Sequence, residues 1–115
     1  MNDSRIYLTG IRAEGRHGAD PGERLEAQEF VVDVDVTVSV GSDSLDATTD
    51  YAALVDSVRD TVSTTSFELL ETVADAVARA VYGFEGVVRV AVVVHKPGAA
   101  AKLGVDDVAA EAIVG

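Results

Sequence analysis

The sequence contains no cysteine and only two lysines, Lys96 and Lys102. Without cysteine, a disulfide framework, a thiolate metal site and a thiol nucleophile are all excluded. There is also no run of about 18 apolar residues, so no membrane-spanning helix is predicted. The N-terminal residues do not show the charged-then-apolar pattern of an export signal, and we therefore expect a cytoplasmic protein.

Positive charge is scarce as well. Nine lysines and arginines face 20 acidic residues, which gives a net charge of −11. This balance argues against binding to nucleic acid or to anionic membranes, because both reward positive patches. The chain of 115 residues is 48% hydrophobic, which is sufficient for a core, and we expect one domain over residues 1–115.

Two strands are predicted in the first third of the chain. Every even position from Phe30 to Val40 is apolar, and from Asp33 onward the odd positions are polar, which is typical of a long strand with one buried face. A weaker alternation over residues 5–12 predicts an earlier strand. The segment 15–23 between them holds three glycines and a proline and reads as a loop.

Two helices are predicted to follow. Asp50 is a candidate N-cap for the first, whose apolar face consists of Tyr51, Leu54, Val55, Val58 and Val62. Thr65 and Glu68 have the spacing of a capping box, which predicts that a second helix begins there and ends near Gly83. Its apolar positions recur at helical spacing: Phe67, Leu70, Val73, Ala74, Val77 and Val81.

The last third predicts a strand over residues 87–96, a loop over 97–104 and a weaker strand over 105–114. The predicted order is ββααββ, which favours the α+β class: a four-stranded antiparallel sheet with two helices packed on one face. Such a sheet has two unpaired edges that invite pairing with another copy. We therefore expect a homo-oligomer.

Glu71 is the first candidate functional residue. On a helical wheel it lies at the edge of the apolar stripe, beside Phe67 and Ala78. A carboxylate against a core costs several kcal/mol unless it is paired. Two interpretations remain open: the side chain bends outward to water, or it binds a protein or ligand partner.

Lys96 is the second candidate. Val88, Val90, Val92 and Val94 are predicted to share one face of the third strand, and Lys96 continues that row to the mouth of the core. There it would be a proton carrier, unless it extends to water as strand-end lysines usually do. Glu23 lies in the glycine-rich loop, where backbone can approach a ligand. His17 and His95 lack a third ligand of a zinc site, so structural roles are expected for both, with His95 on the opposite strand face from Lys96.

These segments together resemble the dihydroneopterin aldolase family. The resemblance rests on Gly15-Arg-His-Gly18 with Glu23 and Gln28, Phe30-Val-Val-Asp-Val, Thr49-Asp-Tyr51, Leu69-Leu-Glu71, Val94-His-Lys-Pro97 and Asp107-Val. It implies the tunnelling fold, whose copies join edge to edge into a ring of four, often stacked into an octamer with active sites at the subunit interfaces. The implied reaction is the retro-aldol cleavage of 7,8-dihydroneopterin into 6-hydroxymethyl-7,8-dihydropterin and glycolaldehyde, a step of folate biosynthesis, often accompanied by epimerisation.

The resemblance also implies roles for matching positions. Glu71, with the backbone of Leu70, is expected to bind the pterin; Lys96 is expected to be the acid/base lysine. Glu23 is expected to contact substrate and assist proton transfer. Tyr51 is expected to be lent by a neighbouring subunit, to contact the pterin and to help protonate the intermediate. Neither a cofactor nor a metal is expected, because the pterin's own imine can accept the electrons of the broken bond.

Two alternatives to this activity stay open, and the sequence departs from the family pattern at two places. The alternatives are an epimerase of 7,8-dihydroneopterin or its triphosphate, whose phosphate could meet Arg16 and Arg24, and a pterin-binding ring without catalysis. Family members usually carry a proline-rich stretch after the lysine, whereas residues 98–104 read Gly-Ala-Ala-Ala-Lys-Leu-Gly here. Arg16 also stands where an aromatic residue is common.

Overall fold

The computed structural model describes residues 3–115. Four strands in this range form one antiparallel sheet in the order β1-β2-β3-β4. The strands and helices are β1 Asp3–Gly15, β2 Gln28–Ser39, α1 Tyr51–Thr64, α2 Leu70–Tyr82, β3 Val87–His95, α3 Pro97–Leu103 and β4 Ala109–Val114. The predicted α+β class and antiparallel sheet are confirmed, and the short third helix was not predicted. None of the helices in residues 3–115 is long and apolar enough to cross a membrane.

The core lies between one face of the sheet and helices α1 and α2. The even residues of β2 from Phe30 to Val38 are buried, as the period-2 pattern predicts. They contact the buried stripes of α1 (Leu54, Val58, Val62) and α2 (Val73, Ala74, Val77, Ala78, Val81). Burying each valine or leucine contributes about 1.5–3 kcal/mol. The other face of the sheet carries Asp33, Asp35 and Thr37, and we call it the outer face.

A bulge divides β1. Ile6 and Leu8 turn toward the helices, but beyond Gly10 the inward positions become Ile11 and Ala13. Gly10 has a φ of 74°, which a residue with a side chain rarely adopts, and its N–H donates to Asp33 Oδ1 at 2.8 Å. The glycine therefore reverses the pleat and keeps both halves of this long strand on the core.

A second irregularity corrects the predicted valine row of β3. The pairing shifts by one residue between Thr37 and Val38, so Val87 is buried while Val88 is 42% exposed. Val90, Val92 and Val94 are buried as predicted. Val88 therefore does not belong to the row that leads to Lys96.

The predicted N-terminus is correct for α1 and wrong for α2. Asp50 caps α1, accepting the N–H of Ala52 at 2.9 Å, but Tyr51 is 60% exposed and does not belong to the buried face. The capping box at Thr65 is wrong. Thr65 ends α1, its hydroxyl donates to the carbonyl of Thr61, and α2 begins only at Leu70. The extended segment 65–69 joins the two helices.

The segment predicted as a loop over 97–104 is α3, and β4 begins later than predicted, at Ala109. Pro97 at the first turn, three alanines and the left-handed Gly104 cap form a complete helix signal. Glycine and proline content alone predicts a loop, but at the two ends of a segment these residues begin and end a helix.

His17 joins the helices to the loop before β2. Its ring is 1% exposed, stacks on Phe67 and meets Phe30 edge-on. Nε2 donates to the carbonyl of Val62 at 2.8 Å, and Nδ1 accepts the N–H of Phe67 at 3.0 Å. Burial lowers the pKa of His17, and a neutral ring fits both hydrogen bonds. The expected structural role of His17 is confirmed.

We predict that His17→Phe lowers the free energy of unfolding by roughly 2–4 kcal/mol, because a buried carbonyl and a buried N–H lose their partner. Urea unfolding at one fixed protein concentration measures the change. Ser66→Ala is the matched control: it removes an exposed hydrogen bond to Arg16 from the same junction and should cost less than about 1 kcal/mol. A His17→Phe protein as stable as Ser66→Ala would contradict the prediction.

Candidate active site

Lys96 and Glu23 form an ion pair at the end of the sheet where β2 begins and β3 ends. Lys96 Nζ lies 2.7 Å from Glu23 Oε2, and the two side chains are 13% and 39% exposed. The hydrogen bond from Lys96 lowers the pKa of the Glu23 carboxyl. A nearly buried ammonium needs such a partner, because leaving it unpaired would cost several kcal/mol. The structure thus brings together two of the predicted site residues.

The local chain shape presents Glu23 to Lys96. Residues Pro21–Arg24 form a short 3-10 turn capped by Asp20, whose carboxylate accepts the N–H of Gly22 at 3.0 Å. Glu23 Oε1 in turn lies 3.4 Å from the N–H of Asp20. A Cβ at Gly18 would lie 2.5 Å from the Cβ of Glu23, so only glycine fits under this side chain.

This cap could have been found in the sequence. Asp20-Pro-Gly-Glu23 combines an N-cap residue, a proline at the first position and an acid at the third, the signature of a capping box. The proline and glycine within it also predict a loop, which hides the cap. Gln28, quoted for the resemblance, supports the same loop by donating to the carbonyl of His17 at 2.8 Å.

The start of α2 lies at the same end of the molecule. The N–H of Gly18 donates to the carbonyl of Phe67 at 3.0 Å, which ties the loop to the segment before the helix. Leu69 at the N-cap position offers no side-chain hydrogen bond to the first turn. Leu70 and Glu71, the first two residues of α2, follow directly.

Glu71 is exposed, and its carboxylate forms no hydrogen bond or ion pair within residues 3–115. In the single chain the side chain turns outward, and a ligand partner is the other interpretation that stays open. Its position in the first turn is favourable for a negative charge because of the helix dipole.

Tyr51 lies away from these residues. It opens α1, whereas the other end of that helix carries Val62, the hydrogen-bond partner of His17. A helix of 14 residues spans about 21 Å, so Tyr51 and Lys96 do not share a site within one chain.

The two arginines considered for phosphate binding are engaged with the loop itself. Arg16 donates to the carbonyl of Leu25 at 2.5 Å, and Arg24 donates to that of Gly18 at 2.8 Å. Arg24 also lies 4.0 Å from the carboxylate of Glu68. Residues 3–115 contain no group of three or more His, Cys, Asp or Glu side chains that could hold a metal ion.

The family model described as dihydroneopterin aldolase matches residues 6–113. Dihydroneopterin aldolase from Streptomyces coelicolor is 36% identical over 108 residues, covering 90% of this chain and 91% of that protein. The enzyme of the same name from Bacillus subtilis is 33% identical over 98 residues, covering 81% and 82% of the two chains.

Solved structures agree with this assignment. Dihydroneopterin aldolase from Burkholderia thailendensis bound to guanine superposes with a TM-score of 0.80 at 27% identity, over 98% of this chain and 91% of that one. The Escherichia coli enzyme in complex with neopterin has a TM-score of 0.84 at 22% identity, covering 97% and 99%, and shares the fold. By sequence along nearly its whole length and by its tunnelling fold, this chain belongs to the dihydroneopterin aldolase family.

Proposed function

We propose that this protein cleaves 7,8-dihydroneopterin into 6-hydroxymethyl-7,8-dihydropterin and glycolaldehyde, as a cytoplasmic step of folate biosynthesis. The observation that carries the proposal is the Lys96–Glu23 pair in a chain of this family. The reaction needs a base for the C2′ hydroxyl proton, an acceptor for the electrons of the C1′–C2′ bond and an acid for the product carbon. The imine of the dihydropterin is the acceptor, so the protein supplies positioning and proton transfer.

Lys96 and Glu23 are proposed to carry the proton transfers, and Tyr51 to help protonate the intermediate. The base is the neutral amine of Lys96, which Glu23 orients through the contact of 2.7 Å between Nζ and Oε2. The amine takes the C2′ hydroxyl proton, the C1′–C2′ bond breaks, and the electron pair enters the pterin ring system. A proton returned to C1′ then completes 6-hydroxymethyl-7,8-dihydropterin. Lys96 acts as a proton shuttle and not as a covalent nucleophile.

Glu71 and the backbone of Leu70 are proposed to bind the pterin. The amino-pyrimidinone edge of a pterin presents two parallel N–H donors, which one fixed carboxylate can accept together. Guanine, which the Burkholderia relative binds, presents the same pair of donors. The exposed Glu71 carboxylate at the start of α2 supports this role, because its charge is available to a ligand.

Tyr51 is proposed to reach the site from a second copy. The separation of Tyr51 and Lys96 within one chain and the 60% exposure of Tyr51 support a site shared between subunits. The free edges of β1 and β4 offer the means of assembly. We propose a ring of four copies, or two such rings stacked as an octamer.

Epimerisation is proposed as a side activity. If glycolaldehyde adds back to the C1′ carbon with its other face before it leaves, the same intermediate yields the C2′ epimer. No further catalytic group is needed for this outcome.

Incubation of the protein with 7,8-dihydroneopterin should release glycolaldehyde together with 6-hydroxymethyl-7,8-dihydropterin, measured by chromatography and a carbonyl-trapping assay. The triphosphate is assayed in parallel. Epimer without glycolaldehyde from either substrate would contradict the aldolase activity and favour an epimerase. Pterin binding without any turnover would favour a binding ring.

Lys96→Ala should abolish turnover while pterin affinity stays within about tenfold, roughly 1.4 kcal/mol, because the lysine acts on the side chain of the substrate. Glu71→Ala should instead lose pterin binding. Isothermal titration with the product pterin and the glycolaldehyde assay separate the two effects. Lys102→Ala is the matched control, since it removes the other lysine of the chain from the exposed surface of α3 and should retain most activity. Undiminished turnover in Lys96→Ala would exclude the shuttle role.

Mixing two variants tests the shared site, because Lys96→Ala removes the proposed shuttle and Tyr51→Phe removes the hydroxyl that is proposed to help protonate the intermediate. Lys96→Ala and Tyr51→Phe are unfolded together, refolded and assayed. In a ring with head-to-tail interfaces, about a quarter of the sites then combine an intact Lys96 with an intact Tyr51. We expect recovery of roughly that fraction of wild-type activity, and no recovery would place both residues of a site in one chain.

A further inference from the structure

His95 lies on the outer face of the sheet with a carboxylate against each ring nitrogen. Nε2 is 2.7 Å from Asp33 Oδ2, and Nδ1 is 2.9 Å from Asp107 Oδ2. An ionised carboxylate only accepts hydrogen bonds, so both ring nitrogens must carry a proton to donate to these two groups. The geometry therefore holds His95 as the imidazolium cation.

The pKa shifts of His95 and Asp33 agree with this geometry. Partial burial alone would lower the pKa of His95, but the hydrogen bonds to Asp33 and Asp107 raise it above its ordinary value. Partial burial would raise the pKa of Asp33, but the N–H of Gly10 and His95 together lower it. The cluster is thus one cation between two carboxylates.

The imidazolium joins three segments of the chain. Asp33 belongs to β2 and also holds the N–H of Gly10 at the bulge of β1. Asp107 belongs to the segment between α3 and β4. The residue after it, Val108, accepts the backbone N–H of Lys96 at 2.8 Å. Both ends of the α3 segment are therefore fixed next to the same histidine.

His95 and Lys96 are consecutive residues whose side chains point to opposite faces of the sheet. The lysine side chain reaches Glu23, while its own backbone marks the end of β3 and the start of α3. A lysine side chain is long and flexible, so the position of its ammonium depends on how firmly that backbone is held. The outer-face cluster holds the backbone from the side opposite the Lys96–Glu23 pair.

We propose that His95, in its charged form, is a positioning residue that clamps Asp107 and the start of β4 to β2 and thereby sets the placement of Lys96 for proton transfer. The proposal rests on the acid/base role of Lys96 given above. Loss of the proton removes one of the two donated hydrogen bonds, and the segment that carries Val108 is then released.

Other charged groups near the cluster are already paired or further away. Val31 of β2 lies opposite His95, and Arg12 of β1 lies opposite Val31 on its other side. The guanidinium of Arg12 pairs with Glu29. On β4, Ala109 lies opposite His95, and Glu111 lies two residues along, opposite Val93. Further along β2, Asp35 pairs with Arg5. The carboxylates that meet the ring within residues 3–115 are those of Asp33 and Asp107.

The sign of the pH effect follows from the raised pKa. The charged clamp is complete below the ordinary histidine pKa of about 6.5 and is lost as the pH rises through the higher value in the folded protein. The clamp should therefore add an alkaline limb to the pH profile of kcat. KM should change little, because pterin binding is assigned to Glu71.

The test compares kcat and KM of the wild-type oligomer, Asp107→Asn and His95→Gln between about pH 5.5 and 9. Asp107→Asn should move the alkaline limb to lower pH, since the imidazolium loses one of its two anions. His95→Gln should lack the limb and show a kcat about tenfold lower at pH 6, with KM within about twofold. Asp107→Asn preserves the shape of the side chain and carries the test if His95→Gln does not assemble.

Asp35→Asn is the matched control, because it breaks another ion pair of the outer face without touching His95. It should leave the limb unchanged. Because the chain contains two histidines and His17 is buried, the ring signal in NMR spectra that titrates and disappears in His95→Gln reports the clamp directly.

Two outcomes separate this proposal from the one on which it rests. Normal wild-type turnover with the same limb in Asp107→Asn, or a His95→Gln enzyme equal to wild type, would overturn the role of His95 alone. A wild-type protein that releases no glycolaldehyde would overturn both proposals.

Discussion

The ion pair of Lys96 and Glu23 is the constraint around which this end of the molecule is built. Lys96 stands where the buried row of β3 meets solvent, and an ammonium there needs a counter-charge. Glu23 supplies it from a turn that must fold back over Gly18. The pair therefore requires the loop before β2, the end of β3 and the start of α3 to pack against one another, which places a proton donor and a proton acceptor side by side.

Much of the fold could be predicted because β2 and the two long helices bury one face each. Their period is visible in the order of residues, as for Phe30 to Val38 or for Val73 and Val77. The bulge at Gly10 and the shift near Val88 could not be predicted in this way, because each reverses the inward positions within a strand. The predicted capping box at Thr65 was wrong because the hydroxyl of Thr65 had two possible partners. It donates to the carbonyl of Thr61 at the end of α1 and does not cap α2.

The candidate site was less predictable from residue patterns alone. Position along β3 brought Lys96 to the mouth of the core, but nothing in the spacing of residues 23 and 96 says that their side chains meet. The resemblance to a family assigned both residues to one site, and the structure adds that their side chains form an ion pair. Glu71 and Tyr51 mark the limit of reasoning on one chain, since both side chains are exposed and their proposed partners, a ligand and a second copy, lie outside it.

The bulge in β1 has a consequence for the newly made chain. In the single chain β1 is a 13-residue edge strand, and long flat edges attract unrelated strands into aggregates. Gly10 bends this edge, and Arg5 and Arg12 place charges along it, so only a surface of matching shape and charge pairs with it over its length. The net charge of −11 adds a general repulsion between copies, whatever their orientation. A contact at this edge must therefore match it in shape and local charge to overcome that repulsion.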